Sequence, residues 1–270
     1  MLGQDYLKQG DLGAALEAVK NEVRDNPLGA EQRTFLFQLL AVNGDWGRAL
    51  THLNVAGDLD AKALPMVQTY REALACEALR EKVFAGERKP LVFGDPEQWV
   101  ALALEACALV GQGHFEQAAQ MREKAYEEAP ANSGTINGDA FEWIADADSR
   151  IGPFVEAIID AKYYWVPMQR IASMTLEAPE DLRDMVWIPA QFDWANGGQS
   201  IALLPVRYPG SHSSEKDALR LSRLTEWDEH PGDTFVGFGQ RMYATDQADY
   251  SILDVRELKF DVERPDGDAE

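Results

Sequence analysis

The sequence has little of what marks disulfide-rich, zinc-binding, secreted or membrane-spanning proteins. Only two of its 270 residues are cysteine. Cys76 and Cys107 each fall in an apolar, helix-like stretch and neither belongs to a Cys-x-x-Cys pair, which disfavours a disulfide framework and a zinc ribbon. No run of apolar residues approaches the length of a membrane span, and the N-terminus lacks the basic and apolar regions of a signal peptide. We therefore expect a cytoplasmic protein with two buried free thiols.

Positive charge is scarce as well. The chain has 25 Lys and Arg against 46 Asp and Glu, which gives a net charge of −21 at pH 7. This excess repels the phosphates of nucleic acids and anionic lipids at long range, so we expect neither nucleic acid nor membrane as a partner. Apolar residues still make up 46% of the chain, enough to bury a sizeable core. The sequence therefore predicts a folded, acidic protein.

Motifs for nucleotide or metal binding are also missing from the sequence. It has neither a Walker motif nor a dinucleotide fingerprint, and Gly197-Gly198 is too short to cradle a phosphate. The four histidines are scattered without the spacing of metal ligands. We predict no cofactor, no metal site and no catalytic residue.

Two short segments could nevertheless carry chemistry. Asp146 and Asp148 would share one face of a strand, as ligands of a hard cation do, although a solvated strand end explains them more simply. Ser211 beside His212 pairs a hydroxyl with an imidazole, but adjacent loop residues seldom align as nucleophile and base. These residues leave a metal-dependent or serine hydrolase, acting through the acidic C-terminal part, as the alternative to a non-enzymatic protein.

A repeat organises the first 130 residues. Three glycines, Gly10, Gly44 and Gly113, begin Gly-polar-hydrophobic turns at spacings of 34 and 69 residues, close to one and two tetratricopeptide periods. An alanine follows each glycine by five positions, at Ala15, Ala49 and Ala118. Small residues at these positions let the two helices of a hairpin approach closely. We predict tetratricopeptide-like helical hairpins over 1–130, with a longer, irregular hairpin near 60–95.

The remaining residues, 131–270, show short apolar runs bounded by Gly, Pro and Asn, which are typical of strands. Asn196-Gly197 predicts a tight hairpin turn, and a helix is expected over 152–161. The fold class predicted for the whole chain is α+β, with helical hairpins followed by a strand-rich α/β domain. The candidate strands are Phe141–Asp146, Lys162–Val166, Arg170–Leu176, Met185–Phe192, Ser200–Leu204, Thr234–Met242 and Ile252–Phe260.

Five segments of this second part carry a family likeness, together with the order of the two parts and the overall length. They are Asp139–Pro153, Tyr164–Pro167, Asp181–Ala190, Trp194–Gly198 and Leu204–Ser211. On these residues the chain resembles the ImpE/SciE family, also called TagJ. The resemblance implies an accessory protein of a bacterial type VI secretion system. It also implies association with the small sheath subunit TssB and, indirectly, with sheath disassembly by the ClpV ATPase.

The likeness carries no catalytic motif, so we interpret the protein as a non-enzymatic adaptor that receives an amphipathic helix of TssB. An apolar trough with a polar rim suits such a helix. The expected partner-binding residues are Phe37 and Leu40 with Gln32 and Arg33 beside them, and the aromatic run Tyr163, Tyr164 and Trp165. Alternation along that run sends Tyr163 and Trp165 to one face, where a place in the core competes with a binding role. A second domain that only caps the repeats is the remaining alternative.

Overall fold

A computed structural model describes residues 2–262 of the chain. Its first half is helical, as the repeat predicts, and each helix of the two N-terminal hairpins packs against its neighbour. The helices are α1 (Leu2–Gln9), α2 (Leu12–Asp25), α3 (Ala30–Val42), α4 (Trp46–Leu59), α5 (Leu64–Phe84), α6 (Gln98–Gly111) and α7 (Phe115–Glu128).

The predicted repeat turns have the geometry that requires glycine. Gly10, Gly44 and Gly113 adopt φ of +81°, +73° and +80°, a left-handed conformation that ends one helix before the next begins. Asp11 and Asp45 then cap α2 and α4, accepting hydrogen bonds from the backbone amides of the first turn. The alanines five positions after these glycines are fully buried, which confirms the predicted repeat phase.

The region expected to hold an irregular hairpin instead joins the helices to the sheet. Here the chain forms the 21-residue helix α5 and then a two-residue strand, β1 (Leu91–Val92). This strand pairs in parallel with a strand of the second half, at Leu91↔Tyr164 and Val92↔Trp165. The helical half therefore contributes an edge strand to the sheet.

The second half is strand-rich, as predicted, and one short helix, α8 (Asp217–Arg220), interrupts it. Element type changes between the end of α7 and β2. The strands are β2 (Gly134–Ile136), β3 (Asp139–Phe141), β4 (Ile144–Asp146), β5 (Phe154–Ile159), β6 (Lys162–Pro167), β7 (Ile171–Leu176), β8 (Trp187–Trp194), β9 (Gln199–Pro205), β10 (Thr225–His230), β11 (Thr234–Gly239), β12 (Met242–Thr245), β13 (Asp249–Ser251) and β14 (Glu257–Phe260).

These strands form three sheets. The main sheet has nine strands in the order β1-β6-β5-β9-β8-β7-β14-β2-β3, and all of its pairs except β1–β6 are antiparallel. The hairpin β10–β11 and the three-stranded sheet β13-β12-β4 are separate. Gly197 lies in the turn between β8 and β9 with φ of +88°, which confirms the hairpin predicted at Asn196-Gly197.

The helix expected over 152–161 is wrong, because these residues contain β5. Every residue from Phe154 to Ile159 is buried, since β5 lies between β6 and β9 with packed material on both faces of the sheet. A strand covered on both faces loses its alternating pattern and resembles a short helix in sequence. Two candidate strands are also each divided in two, and the one beginning at Ile252 starts only at Glu257.

The core has two layers, one on each face of the main sheet. On the first face, Trp165 and Phe154 pack against Phe84 and Trp99 of the helices. On the other face, residues such as Val155 and Val166 pack with the strands that follow in the chain. Because one cluster of buried side chains includes helix and strand residues, the helical and strand-rich parts pack as one body.

The burial of Ala49 generates a stability prediction. Ala49→Leu adds carbon atoms at a fully buried position of α4, so we expect the free energy of unfolding to fall by roughly 1–3 kcal/mol. Chemical denaturation followed by circular dichroism measures this change. Arg48→Leu, at an exposed position next to Ala49 on the same helix, is the control. Equal stability of Ala49→Leu and the native protein would contradict the repeat phase.

Candidate functional site

A group of charged side chains is buried where α5 crosses the main sheet. Glu77 and Arg80 come from α5, Glu156 from β5, Asp146 from the end of β4, and Arg241 from the link between β11 and β12. Each is at most 5% exposed. Charges lose their hydration when they are buried, so such a group is stable only when each charge meets an opposite one with well-aligned hydrogen bonds.

Glu156 is at the centre of this group, between two guanidinium ions. Arg80 donates from Nε to Glu156 Oε1 at 2.7 Å and from Nη2 to Oε2 at 3.1 Å. Arg241 donates to Glu156 Oε2 and, from Nη1, to Asp146 Oδ2 at 2.5 Å. Tyr163 OH also donates to Glu156. We call the four linked residues Arg80, Glu156, Arg241 and Asp146 the ion-pair network. It connects α5 to β5, to β4 and to the link between β11 and β12.

Asp148 lies next to the network with its own partner. Arg150 donates to both Asp148 oxygens, at 2.9 Å from Nε and 2.6 Å from Nη2, and the Gly237 amide adds a bond of 2.8 Å. Asp146 and Asp148 are therefore buried and paired, so the interpretation as a solvated strand end is wrong. Among residues 2–262, no group of three or more His, Cys, Asp or Glu side chains is arranged to hold a metal ion.

Burial and the arginines shift the two central carboxyl groups in opposite directions. Desolvation alone would raise the pKa of Glu156, but Arg80 and Arg241 outweigh it and lower the pKa to about 2. For Asp146, burial dominates over the attraction of Arg241, and the negative charge of Asp148 adds to it, so the pKa rises to about 7. The network thus has one firmly ionised carboxylate and one that titrates near neutrality.

The strand-rich half also covers the helical repeats. Arg207 donates from Nη1 to Val42 O at 2.7 Å and from Nη2 to Ala41 O at 3.2 Å, where α3 ends. A guanidinium at this position satisfies carbonyls that the helix leaves unpaired and complements the helix dipole. Nearby, the ring of His212 packs so closely on Gly44 that a Cβ there would lie 2.3 Å from it. The protein's own C-terminal half therefore occupies this face of the repeats.

The two apolar residues of α3 that we expected to bind a partner are buried in the structure. Phe37 is 0% exposed and Leu40 is 1% exposed, and both belong to the core between helices and sheet. The expectation that they line an open groove is therefore wrong, because both side chains are enclosed in this core, where the ring of Phe37 lies 5.8 Å from that of Tyr70 on α5. Gln32 and Arg33 are half-buried one turn earlier, and Arg33 donates to Pro27 O at 3.0 Å.

The aromatic run on β6 is likewise mostly internal. Tyr163 and Trp165 are 1% and 0% exposed on the helix side of the sheet, where the indole donates to Tyr163 OH at 2.7 Å. Tyr164 points to the opposite face, is half-buried and lies 6.0 Å from the ring of Phe93. The predicted alternation is confirmed, and Tyr163 and Trp165 are core residues that a partner cannot reach.

Ser211 and His212 do not form a nucleophile and base. Ser211 Oγ donates to Tyr208 O at 2.6 Å and accepts from the Gly239 amide at 2.8 Å, so its hydroxyl is committed to the backbone. The His212 ring lies 5.6 Å from that of Trp46, and burial lowers the pKa of His212. The pair fastens a loop to the helices, which is a structural role.

An open apolar groove that sequence reasoning missed lies between α5 and the sheet. It has a volume of about 280 Å³, and Ile201 of β9 stands beside it with 78% of its surface exposed. We call it the Ile201 groove; its lining residues are Thr69, Tyr70, Glu72, Ile158, Asp160, Ala161, Pro189, Ile201, Ala202 and Leu203. A large apolar residue at an outward-facing strand position is the signal that could have revealed it.

The fold and the site together define a helical-repeat protein packed on a β-sheet through buried ion pairs. None of the helices among residues 2–262 combines the length and apolar character needed to cross a bilayer. The chain belongs to the ImpE family: a match to the family described as "ImpE protein" spans residues 138–259, and the relative described next is 48% identical over 97% of the chain.

Two known proteins are similar over nearly the whole chain. The type VI secretion system accessory component TagJ of Pseudomonas aeruginosa is 48% identical over 261 residues, which cover 97% of this chain and 92% of that protein. The crystal structure of protein VPA1032 from Vibrio parahaemolyticus superposes with a TM-score of 0.88 at 24% identity, covering 97% of this chain and 98% of that one. The second likeness concerns the fold alone.

The raised pKa of Asp146 predicts how stability depends on pH. Folding favours the protonated form of this carboxyl, so its contribution is complete below pH 4 and is lost as pH rises through about 7. We expect the native protein to lose on the order of a few kcal/mol more than Asp146→Asn between pH 4 and pH 8. Urea denaturation at several pH values tests this, with the exposed Asp58→Asn as control. Parallel stability curves for the native protein and Asp146→Asn would contradict the shift.

Proposed function

We propose that this chain is a non-enzymatic accessory component of a bacterial type VI secretion system. The observation that carries this proposal is the 48% identity with TagJ across 97% of the chain. The site gives independent support, because the charged residues that could serve catalysis are engaged in packing. Asp146 and Asp148 are bound by arginines, and the Ser211 hydroxyl is bound to backbone groups.

The partner we propose is an amphipathic helix of the small sheath subunit TssB, which links the protein indirectly to the ClpV ATPase. The family resemblance supports this partner. Since Phe37 and Leu40 are buried, we place the contact at the Ile201 groove. Its floor includes Ile158 and Leu203, and Glu72 and Asp160 stand at its rim. An apolar floor with acidic edges suits a helix that has one apolar stripe flanked by basic residues.

The absence of a positioned nucleophile and base among the described residues predicts that the purified protein turns over no hydrolysable substrate. A screen of ester, peptide and phosphoester substrates with added divalent metals measures this. Heat-denatured protein is the control for background hydrolysis. Saturable turnover that disappears in Ser211→Ala or Asp146→Ala would overturn the non-enzymatic proposal.

A peptide of the amphipathic TssB helix is expected to bind with a negative heat-capacity change, because burial of apolar surface is the main contribution. The basic edge of the helix speeds encounter, and salt weakens this attraction. Because salt leaves the burial of apolar surface in place, affinity should fall only modestly as salt rises. Titration calorimetry at several temperatures and salt concentrations measures both effects.

The choice of groove is tested with the same peptide. Ile201→Lys places a cation at the groove and is expected to weaken binding about tenfold or more. Leu28→Lys is the matched control, because Leu28 is 76% exposed and Ile201 is 78% exposed. Unchanged binding by Ile201→Lys would contradict the groove assignment, and no heat with any TssB helix would contradict the partner.

A further inference from the structure

The hairpin β10–β11 has one edge that is used by the fold and one that is not. On the β11 side, Phe235 O accepts from the Ser149 amide at 3.0 Å, and the Phe235 amide donates to Ser149 Oγ at 2.9 Å. On the other side, β10 pairs with β11 alone, and no other backbone group among residues 2–262 bonds to it. β10 therefore presents a row of unpaired amide and carbonyl groups.

The hairpin is held firmly, so this edge is preformed. Arg122 of α7 donates to Gly232 O at 2.8 Å and to Thr234 Oγ1 at 3.1 Å. The ring of His230 stacks on that of Phe115 with a centroid distance of 4.2 Å and an angle of 4°. Val236 is buried against α6 and α7. A hairpin fixed at its turn and packed on one face costs little entropy when another strand pairs with it.

The charge of β10 selects what can pair with it. Glu226, Asp228 and Glu229 are acidic, and the last two form no ion pair with any residue from 2 to 262. A second copy of β10 would place carboxylates opposite carboxylates, which disfavours self-association through this edge. The cleft beside the hairpin turn, about 470 Å³ in volume, is lined by three acidic residues, Glu116, Glu123 and Asp233, and by one basic residue, Arg122. Basic side chains would complement both features.

Aromatic residues give the edge an apolar face. Trp227 is opposite Gly237 and Phe235 is opposite Glu229, so the two rings are diagonal neighbours on one face of the hairpin. They are 38% and 40% exposed. The ring of Tyr208 packs against the indole of Trp227, with ring centroids 5.4 Å apart. Aromatic surface beside carboxylates attracts lysine and arginine through cation–π contacts as well as ion pairs.

We propose that the free edge of β10 binds an extended, lysine- or arginine-bearing segment of a partner protein, which adds to the hairpin as a third strand. Its backbone pairs with β10. Successive side chains of the bound segment point to opposite faces, so that one set lies over Trp227 and the other lies beside Asp228. This contact differs from the Ile201 groove in place and in the conformation of the bound segment. It therefore stands whether or not the protein binds a helix of TssB.

The test uses a short peptide of alternating lysine and valine as the probe. Titration calorimetry and amide hydrogen exchange of residues 225–230 follow its binding to the full-length protein. We expect saturable binding together with slower exchange of the outward amides of β10. Asp228→Lys/Glu229→Lys should weaken binding roughly tenfold, because two attractive charges become repulsive.

The controls separate strand addition from attraction of charge in general. Asp25→Lys/Asp58→Lys makes the same change of charge on exposed residues in the last turns of α2 and α4, and should bind like the native protein. A probe peptide with a central proline keeps its charge but cannot complete the pairing, and should bind poorly. Equal binding of both peptides, unchanged exchange of β10, or undiminished affinity of Asp228→Lys/Glu229→Lys would each overturn the proposal.

Discussion

The buried ion pair between Arg80 and Glu156 sets how the helices lie on the sheet. Neither charge is tolerable alone in the core, because each would lose its hydration without compensation. The arginine is on α5 and the glutamate on β5, so the pair is satisfied only when α5 crosses the sheet in one register. Arg241 extends the constraint to Asp146 and so to β4. Apolar packing around these residues is compatible with many small shifts, whereas the paired charges are not.

This arrangement changes what a tetratricopeptide-like repeat can do. Such repeats commonly present a helical face to partners, but here Arg207 and His212 bring the strand-rich half against that face. On this face the repeats therefore pack against the protein's own strand-rich half. The two partner contacts that we propose are elsewhere, at the Ile201 groove and along β10. Both have acidic borders, in keeping with the net charge of −21.

The misplaced binding surface on α3 has an identifiable cause. By themselves, Phe37 and Leu40 are free to form an exposed apolar face, whereas in the structure every residue from Phe35 to Val42 is buried. A helix that is apolar on every side is buried on every side, so the sequence of α3 as a whole indicates a helix of the core. The sequence does not indicate which residues cover α3. Arg207 contacts Val42 but lies 165 residues away, and no local pattern predicts a contact at that separation.

Local physics determined the helical repeats around Gly10, Gly44 and Gly113 from sequence alone, but not the region of α5 and β1. Glycine at three left-handed turns, aspartate caps on α2 and α4, and buried alanines five positions after the turns each follow from short-range backbone and packing rules. The hairpin at Asn196-Gly197 is of the same kind. Tertiary structure decided the rest: β5 is a strand because both of its faces are covered, and Asp146 and Glu156 are buried because arginines distant in sequence reach them. Burial of a charge depends on a partner that only the folded chain supplies.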